Sequence, residues 1–397
     1  MPLKTLSLYE TLHDVERIAR VFGVEGTMIE GGAFGNGLIN DTLAATFEHQ
    51  GNARRFILQR INHEVFRDPH ALMHNVERVC EHVRTRLEAD SEDDINRRCL
   101  TLLRTPDGGS LHRECDRDGA DSYWRGYTYI NHCTSYDTIQ TADQAYEAAR
   151  KFGEFQRLVE DLPGGRLAET IPDFHNTPKR FAALQQAVKL DPLGRAASCH
   201  QEISFALSHA PVAWHLLDLH KQGLIPERII HNDTKLSNVL IDDVTGRGMC
   251  VVDLDTVMPG LALYDFGDLV RTCVSPAEED STDLSRIEVR LPVFQALARG
   301  YIEEMGTTLT DAETANLAFS GRLLTFEVAL RFLTDHLLGD IYFGAKRPNH
   351  NLERARNQFH LFTLLGQCEA EMDAYVDSLA RTADRSARFS TRQQAAH

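Results

Sequence analysis

The chain has 397 residues, of which 42% are hydrophobic and 25% are charged, and its formal net charge is -16 at pH 7. This composition is typical of a folded protein long enough for two lobes, and it argues against disorder over most of the chain. A surface this acidic repels nucleic acids and anionic membranes, so neither is expected as a partner.

Three further features favour a cytoplasmic location. The sequence has no run of eighteen apolar residues that would span a membrane, and residues 1–10 lack the basic start and apolar core of a secretory signal. Its eight cysteines include no C-x-x-C pair and match no zinc spacing. We therefore expect reduced thiols and a cytoplasmic protein, and we expect a monomer.

The N-terminal third of the sequence predicts a small antiparallel sheet accompanied by helices. Apolar side chains recur at helical spacing over residues 6–22 and again over residues 69–87. A glycine-rich turn over residues 31–37 precedes strands over residues 39–47 and 55–59. The turn residues 106–109 predict a hairpin between residues 100–104 and 111–114, and the aromatic segment 123–130 predicts the last strand.

From about residue 141 onward the periodicity is helical. Two short strands, over residues 239–242 and 249–254, interrupt the helices, and the polar residues 381–397 predict a flexible tail. The sequence thus predicts an α+β fold with a small β-rich lobe over residues 1–131, a helical lobe over residues 132–380 and a cleft between them. The predicted helices cover residues 145–162, 178–190, 195–209, 213–222, 286–304, 311–336 and 352–379.

The strongest local signal is the segment from His231 to Asn238, which has the spacing H-x-D-x-x-x-x-N directly before a short apolar strand. Kinase catalytic loops share this layout, in which the aspartate faces the acceptor hydroxyl and the asparagine holds a magnesium ion. Phosphoryl transfer requires an acceptor oxygen in line with phosphorus and neutralisation of the phosphate charge. Asp233 is therefore the predicted catalytic residue, Asn238 a predicted metal ligand and His231 a predicted supporting residue.

A second signal is the apolar strand before Asp253, which would project this carboxylate into the cleft as a second magnesium ligand. Asp255 would point the same way if the strand continued, so it is predicted to support the site. Taken alone, either pattern is more typical of a turn, a helix cap or a surface carboxylate. Their joint order along the chain, after a glycine-rich turn and a sheet, favours a kinase.

The small lobe is predicted to bind the nucleotide. A glycine-rich turn lets backbone amides approach phosphates, although a hairpin turn without a ligand has the same composition. The predicted nucleotide contacts are Gly35, Asn36, Gly37, Gln59, Tyr129 and Asn131.

An Asp-Phe-Gly sequence at residues 265–267 invites confusion with the metal-binding motif of protein kinases. It follows no clear apolar strand, whereas Asp253 does, and we therefore do not assign it to the metal. Asp265 and Asp268 are instead predicted to support the site from behind by accepting hydrogen bonds from the catalytic loop.

Up to about residue 380, the sequence resembles the aminoglycoside phosphotransferase and choline kinase superfamily and, within it, the N-acetylhexosamine 1-kinases. This resemblance implies a two-lobed protein-kinase-like fold, transfer of phosphate from ATP to the anomeric hydroxyl of an N-acetylhexosamine, and magnesium as cofactor. It also implies a sugar pocket lined by Thr256, Arg331 and Tyr342. The stretches that carry the resemblance are residues 56–59, 175–181, 231–238, 252–260, 331–332 and 339–343.

One position departs from the usual pattern of the superfamily, which places Lys or Arg on the third strand. The aligned residue is Gln59, and strand alternation sends Arg60 to the opposite face. The sugar kinases that the chain resembles share this glutamine, so activity need not be lost, and Gln59 still has an amide donor for a phosphate. Glu77, the helix carboxylate expected to pair with the missing lysine, is left without a predicted partner.

Arg331 lies in a helix that otherwise looks buried, and a buried arginine needs hydrogen-bond partners. The hydroxyls or the amide carbonyl of a sugar would serve. An ion pair with Asp335 or Glu327 on the same helix would serve equally well.

Two other functions remain open. A kinase of the same fold would act on another hexose, an amino alcohol or an aminoglycoside, and an acidic pocket would favour the cationic acceptors among these. A non-catalytic kinase-like binding module is supported only by the missing strand lysine.

Overall fold

The small lobe is built on a five-stranded antiparallel sheet with the strand order β1-β2-β3-β5-β4, where the numbers follow the chain. A computed structural model of the chain describes the backbone of residues 12–35, 39–115 and 119–394. Within these ranges it describes the side chains of residues 14–382. The elements of the lobe are α1 (Leu12–Val21), β1 (Thr27–Ala33), β2 (Asp41–His49), β3 (Asn52–Ile61), α2 (Pro69–Ala89), α3 (Ile95–Arg98), β4 (His112–Cys115) and β5 (Asp121–Thr128).

The two faces of this sheet have different environments because side chains alternate along each strand. Phe47, Leu58 and Trp124 are buried against α1 on one face. Gln59 and Arg125 are opposite each other in the β3–β5 register and lie on the other face. That face is turned toward the large lobe.

The predicted hairpin around residues 106–109 does not form. Leu102 forms a bridge with Tyr127, and His112 at the start of β4 pairs with Trp124, so both segments lie along β5. They lie end to end on one edge of β5 and are separated by a turn in which the amide of Thr105 donates to the carbonyl of Gly109. The edge of β5 is longer than either segment, so the two segments share it instead of pairing with each other.

The large lobe is mainly helical, as predicted, and its two small sheets carry the loops of the cleft. Its strands are β6 (Cys133–Thr134), β7 (Arg228–Ile230), β8 (Val239–Asp242), β9 (Gly248–Val251) and β10 (Met258–Gly260). Its helices are α4 (Ala142–Val159), α5 (Thr177–Leu190), α6 (His200–Ser208), α7 (His215–Lys221), α8 (Ala262–Cys273), α9 (Leu291–Met305), α10 (Asp311–Thr314), α11 (Leu317–Leu338) and α12 (His350–Gln394). Helix α4 packs against α9, and α11 packs against α5, α8 and α12.

Most elements differ from their predicted bounds by a few residues, for example α9, which begins at Leu291 instead of residue 286, and some differ in kind. The helix predicted over residues 311–336 is divided into α10 and α11. The strand predicted over residues 249–254 ends at Val251, because Asp253 adopts a φ of 61° that no strand continues through. Residues 381–394, predicted as a flexible tail, have a helical backbone as the end of α12, and they contain no glycine or proline that would stop a helix.

The largest apolar core runs across the predicted boundary between residues 131 and 132. Val79 of α2, Phe152 of α4 and Leu254 beyond β9 are all buried in it. The two-lobed α+β fold is confirmed: each lobe also has a smaller apolar cluster of its own, and this largest core joins the two lobes. None of the described helices has the length and apolar character needed to cross a membrane.

Candidate active site

The loop that carries Asp233 follows β7 and ends in a 3₁₀ turn over Leu236–Asn238. Asn232 adopts a φ of 67°, in the left-handed region that asparagine tolerates better than most residues. The buried carboxylate of Asp265 accepts hydrogen bonds from the amides of His231 (2.8 Å) and Asn232 (2.7 Å). These bonds fix the sharp turn immediately before Asp233.

Asp265 lies in the first turn of α8, beneath this loop. Its carboxylate also accepts a hydrogen bond from Gln156 (2.6 Å), and its backbone carbonyl accepts one from the Thr234 hydroxyl (2.6 Å). Burial raises the pKa of the Asp265 carboxyl against the opposing effects of His231 and the loop amides. The Asp-Phe-Gly sequence is therefore part of the support under the loop.

Asp268 does not make the contact that the sequence predicts. It pairs with Arg271 on the same helix, with 2.8 Å between the nitrogen and oxygen atoms. Among the described residues, no hydrogen bond joins its side chain to the catalytic loop. Its bonded partner is one helical turn away in α8, and the charge of Asp268 is among those that raise the pKa of Lys235 in the loop.

Asp233 is surrounded by donors from its own loop. Lys235 Nζ lies 2.8 Å from Asp233 Oδ2, and Asn238 Nδ2 donates to the same oxygen (3.1 Å) and to the backbone carbonyl of Asp233 (2.9 Å). Burial disfavours ionisation of Asp233, but Lys235, His231 and Asn238 outweigh it and hold its pKa below the ordinary value. The carboxylate is thus ionised at neutral pH and able to accept a proton or a hydrogen bond.

Asp253 reaches the same region from the end of β9. The amide of Val252 donates to the carbonyl of Asn238 (2.9 Å), and His231 Nε2 lies 3.0 Å from the carbonyl of Val252. Burial, together with the carboxylates of Asp255 and Asp233, raises the pKa of Asp253 to about 6. The structure therefore brings Asp233, Asn238 and Asp253 together at one place in the cleft.

Asp255 does not point the same way as Asp253, because the chain leaves β9 through the positive φ of Asp253 and enters a 3₁₀ turn. Its carboxylate forms a buried ion pair with Arg125 and accepts a hydrogen bond from Asn40 Nδ2 (2.6 Å). Asp255 thus ties the large lobe to the sheet of the small lobe.

Arg125 is a candidate site residue that sequence reasoning missed. Its side chain is 1% exposed, and its Nε donates to Gln59 Oε1 (3.0 Å) on the neighbouring strand. Gln59 in turn donates to the Thr42 hydroxyl (3.1 Å). A cation therefore does lie on the cleft face of the sheet, on the strand next to the one that carries Gln59.

Two charged residues near the position of the usual lysine, Arg60 and Glu77, have other partners. Arg60 pairs with Asp41, and Glu77 accepts a hydrogen bond from Arg104 (2.6 Å). Lys235, two residues after Asp233, is a second cation that the motif spacing did not single out.

The described residues among the predicted nucleotide contacts lie shortly after β1, within β3 and shortly after β5. Gly35 has a φ of +73° and open space where a side chain would be. The ring of Tyr129 lies 5.9 Å from that of Phe34, and Arg55 stacks on both rings. The carbonyl of Asn131 accepts a hydrogen bond from Arg97 (3.1 Å). The predicted contacts Asn36 and Gly37 lie outside the described residues.

Arg331 and Tyr342 lie together, with 3.2 Å between the guanidinium and the tyrosine hydroxyl. Neither ion pair considered from the sequence forms: Glu327 is bonded to His175 and Thr177, and Asp335 accepts from the amides of Tyr342 and Phe343. Arg331 has no carboxylate within 4.0 Å in the described part of the chain. Apart from the nitrogen that donates to Tyr342, its donors therefore remain available to a ligand.

Thr256 has a buried hydroxyl with no hydrogen-bond partner among the described residues. Its backbone carbonyl accepts a hydrogen bond from Asn232 Nδ2 (2.9 Å), which places Thr256 beside the catalytic loop. An unpaired buried hydroxyl is a favourable position for a polar ligand atom.

His175 connects the helix of Arg331 to the catalytic loop. Its Nδ1 lies 2.8 Å from Glu327 Oε1, and its Nε2 lies 3.1 Å from the carbonyl of Asn232. Burial alone would lower the pKa of His175, but Glu327 outweighs burial and raises it. In turn, His175 lowers the pKa of Glu327 against the effect of burial.

These shifts predict a pH window for the ion pair. Stabilisation by His175 is complete below its ordinary pKa of 6.5 and is lost as pH rises through the raised value. Stabilisation by Glu327 is present above its ordinary pKa of 4.5 and is lost as pH falls through the lowered one. Urea unfolding should thus give the largest advantage of wild type over His175→Gln near pH 5.5 and a smaller one at pH 8.5. A constant advantage would contradict the pairing.

Chemically, the site joins an ionised carboxylate to two oxygen donors suited to a hard cation. Both donor hydrogens of the Asn238 amide are directed at Asp233, which leaves Asn238 Oδ1 for another partner. The site contains three carboxylates, those of Asp233, Asp253 and Asp255. Two cations, Lys235 and Arg125, lie beside them, and the resulting excess of negative charge fits a divalent metal.

A profile of the phosphotransferase enzyme family (APH) matches residues 31–302, more than half of the chain. Similar solved structures include a microcompartment-associated aminopropanol kinase, 14% identical over 91% of this chain and 99% of that chain, with a TM-score of 0.55. The amicoumacin kinase hAmiN in complex with AMP-PNP, Ca²⁺ and Ami is 10% identical over 89% and 94% of the two chains, with a TM-score of 0.56.

An aminoglycoside phosphotransferase from Alicyclobacillus acidocaldarius is 12% identical over 93% of this chain and 96% of that chain, with a TM-score of 0.51. Identities this low show a shared two-lobed kinase-like fold and nothing finer. The family match rests on the sequence itself and covers most of the sheet, the catalytic loop and Asp253. The chain belongs to the phosphotransferase enzyme family.

Proposed function

We propose that this phosphotransferase moves the γ-phosphoryl group of ATP onto the anomeric (C1) hydroxyl of N-acetylglucosamine or N-acetylgalactosamine, giving the sugar 1-phosphate and ADP. The observation that carries the proposal is the grouping of Asp233, Asn238 and Asp253, with Lys235 bonded to the first of them. Two oxygen ligands and a carboxylate for the alcohol are the parts that phosphoryl transfer requires.

Asp233 would accept a hydrogen bond from the anomeric hydroxyl and direct the oxygen at phosphorus. Lys235 and Asn238 favour the ionised form of Asp233, which is the form that accepts this bond. An anomeric hydroxyl is more acidic than the other hydroxyls of a sugar. Orientation by Asp233 would therefore contribute more than removal of the proton.

Asn238 and Asp253 would hold magnesium, and the raised pKa of Asp253 supports this role because a bound cation relieves the repulsion from Asp255 and Asp233. The ion would supply positive charge to the phosphate oxygens. Gly35, Asn36 and Gly37 would lie over the phosphates, and Tyr129 and Asn131 would contact the rest of the nucleotide.

The pair Gln59 and Arg125 would serve the phosphate side of the small lobe in place of a strand lysine. Arg125 lies on the cleft face of the sheet and is bonded to both Gln59 and Asp255. We therefore assign two roles to this pair. Arg125 supplies positive charge on this face of the sheet, and its bonds to Gln59 and Asp255 align the sheet with the metal ligands.

The sugar assignment rests on the resemblance to N-acetylhexosamine 1-kinases and on the contacts of three residues. Thr256 has an unpaired hydroxyl, and Arg331 has donors with no carboxylate partner in the described chain. Tyr342 is 64% exposed at the edge of the same region. These groups would accept and donate the hydrogen bonds of the sugar hydroxyls and the amide.

An ATP-consumption assay with magnesium tests the function. The acceptors are N-acetylglucosamine, N-acetylgalactosamine, glucose, galactose, choline and an aminoglycoside. We expect the two N-acetylhexosamines to give the highest kcat/KM. Preference for choline or the aminoglycoside would replace the proposal by an amino-alcohol or aminoglycoside kinase, and absence of turnover with every acceptor would favour a binding module.

A further inference from the structure

A second arginine, Arg180, shares with Arg331 the surroundings of Phe174. Arg180 Nη2 donates to the carbonyls of Phe174 (2.8 Å) and Asp173 (3.2 Å). The guanidinium of Arg331 lies 5.4 Å from the ring centre of Phe174. The two side chains therefore approach one aromatic residue from two elements, α5 and α11.

Neither arginine is neutralised by a carboxylate. Within the described ranges, no acidic oxygen lies within 4.0 Å of either guanidinium. Glu327 is already paired with His175, and Asp173 with Lys179 at 2.6 Å. The Nε of Arg180 is buried and has no hydrogen-bond partner in the described chain.

Placing two cations together in a partly buried position is unfavourable unless something else accepts their hydrogen bonds. Burial, followed by the charge of Arg331, lowers the pKa of Arg180, which reports the same electrostatic strain. Guanidinium groups in such positions typically bind carbonyl, hydroxyl or anionic oxygens, and they repel ammonium groups.

The pair also lies next to the catalytic loop. The ring of His175 is 4.7 Å from that of Phe174, and His175 Nε2 is 3.1 Å from the carbonyl of Asn232, the residue before Asp233. A ligand held at Asp233 and extending toward Phe174 would therefore meet both arginines. The acceptor is the ligand that the proposed function places at Asp233.

We infer that Arg180 and Arg331 form a two-arginine subsite that selects acceptors with an oxygen-rich, uncharged or anionic group and excludes acceptors with a positive charge. The inference rests on the proposed function, since it takes the region beside Asp233 as the acceptor site. It assigns Arg180 as a specificity-determining residue. An N-acetyl group would be accepted where the corresponding ammonium group is rejected.

Two matched pairs of acceptors test the inference: N-acetylglucosamine with glucosamine, and N-acetylethanolamine with ethanolamine. Within each pair the skeleton is the same and the acetamido group of one member is replaced by an ammonium group in the other, because both free amines are protonated at about pH 6.5. We expect wild type to prefer the acetylated member by at least about tenfold in kcat/KM, which corresponds to 1.4 kcal/mol. A wild type that uses the ammonium member equally well overturns the inference.

Three variants separate recognition from a structural role. Arg180→Met should raise KM for N-acetylglucosamine about tenfold, with kcat changed less than about threefold, and should reduce the preference for it over glucosamine. Arg180→Lys keeps the charge and should keep the exclusion of glucosamine. Lys179→Met removes one charge from an exposed ion pair on the same helix and should leave the preference unchanged.

If Arg180 only holds the carbonyls of Asp173 and Phe174, Arg180→Met will weaken both members of a pair equally, and this result overturns the inference. Phosphorylation of N-acetylethanolamine but of no sugar contradicts the proposed function and leaves the two-arginine subsite intact. Phosphorylation of ethanolamine or glucosamine alone contradicts both, as does failure to phosphorylate any of the four acceptors.

Discussion

Asp233→Asn is expected to lower kcat by about 10²-fold or more while the protein remains folded. Asparagine has nearly the shape of aspartate, and Lys235 and Asn238 can still contact its amide oxygen. It has lost the charge that draws the hydroxyl proton and orients the acceptor oxygen. Turnover at saturating ATP and sugar, together with thermal unfolding, measures the two effects separately.

Asp243→Asn is the matched control for this change. Asp243 lies in the turn after β8, where its exposed carboxylate accepts a hydrogen bond from Thr134 (2.7 Å). The control should retain wild-type turnover. Normal turnover of Asp233→Asn would remove Asp233 from the reaction, whereas loss of the unfolding transition would mean that the variant reports only on stability.

Arg125→Met is expected to destabilise the protein by about 3–5 kcal/mol, the usual effect of removing one partner of a buried ion pair. The side chains of Arg125 and Asp255 are 1% and 3% exposed, so solvent screens this pair very little. Without Arg125, the carboxylate of Asp255 would remain buried beside Asp253, and Asn40 would be its remaining side-chain donor among the described residues. Urea unfolding at neutral pH, with m-values compared, gives the difference in free energy of unfolding.

Two controls distinguish this ion pair from a general effect of charge. Arg113→Met breaks a pair whose arginine is 60% exposed, and it should change the free energy of unfolding by less than about 1 kcal/mol. The double variant Arg125→Met/Asp255→Asn should be more stable than Arg125→Met alone, because the unpaired buried charge is gone. A single variant as stable as wild type would show that the pair does not hold the lobes together.

The local parts of the site could be predicted from the sequence because each is a short pattern. The spacing from His231 to Asn238 predicts a loop before a strand, and the apolar run before Asp253 predicts a carboxylate at the end of a strand. Both predictions depend on neighbours in the chain. The structure adds that Asn232 and Asp253 have positive φ angles of 67° and 61°, which no residue pattern indicated.

The parts that the sequence did not predict depend on partners far along the chain. Arg125 lies within a segment correctly assigned to a strand, but its role follows from Asp255, which is 130 positions away. The hairpin prediction at residues 106–109 failed for the same reason, since the edge of β5 decides the pairing. The direction of Asp255 followed from the backbone of Asp253, which strand alternation did not anticipate.

The strand lysine is a related case. A single aligned position, Gln59, suggested that the small lobe lacked a cation in the cleft. The register places Arg125 opposite Gln59 on the next strand, where its side chain lies on the same face. Position 59 considered alone therefore suggests that the cation is missing, whereas the sheet carries a cation, Arg125, on the neighbouring strand.

Proton-coupled phosphorus NMR of the product made from N-acetylglucosamine, ATP and magnesium tests the central claim most directly. A phosphate on the anomeric oxygen has one neighbouring proton at C1, so the new signal should be a doublet that collapses on irradiation of the anomeric proton. A triplet from a phosphate at C6, or a new phosphorus signal only with an amino alcohol, would contradict phosphorylation of the anomeric hydroxyl.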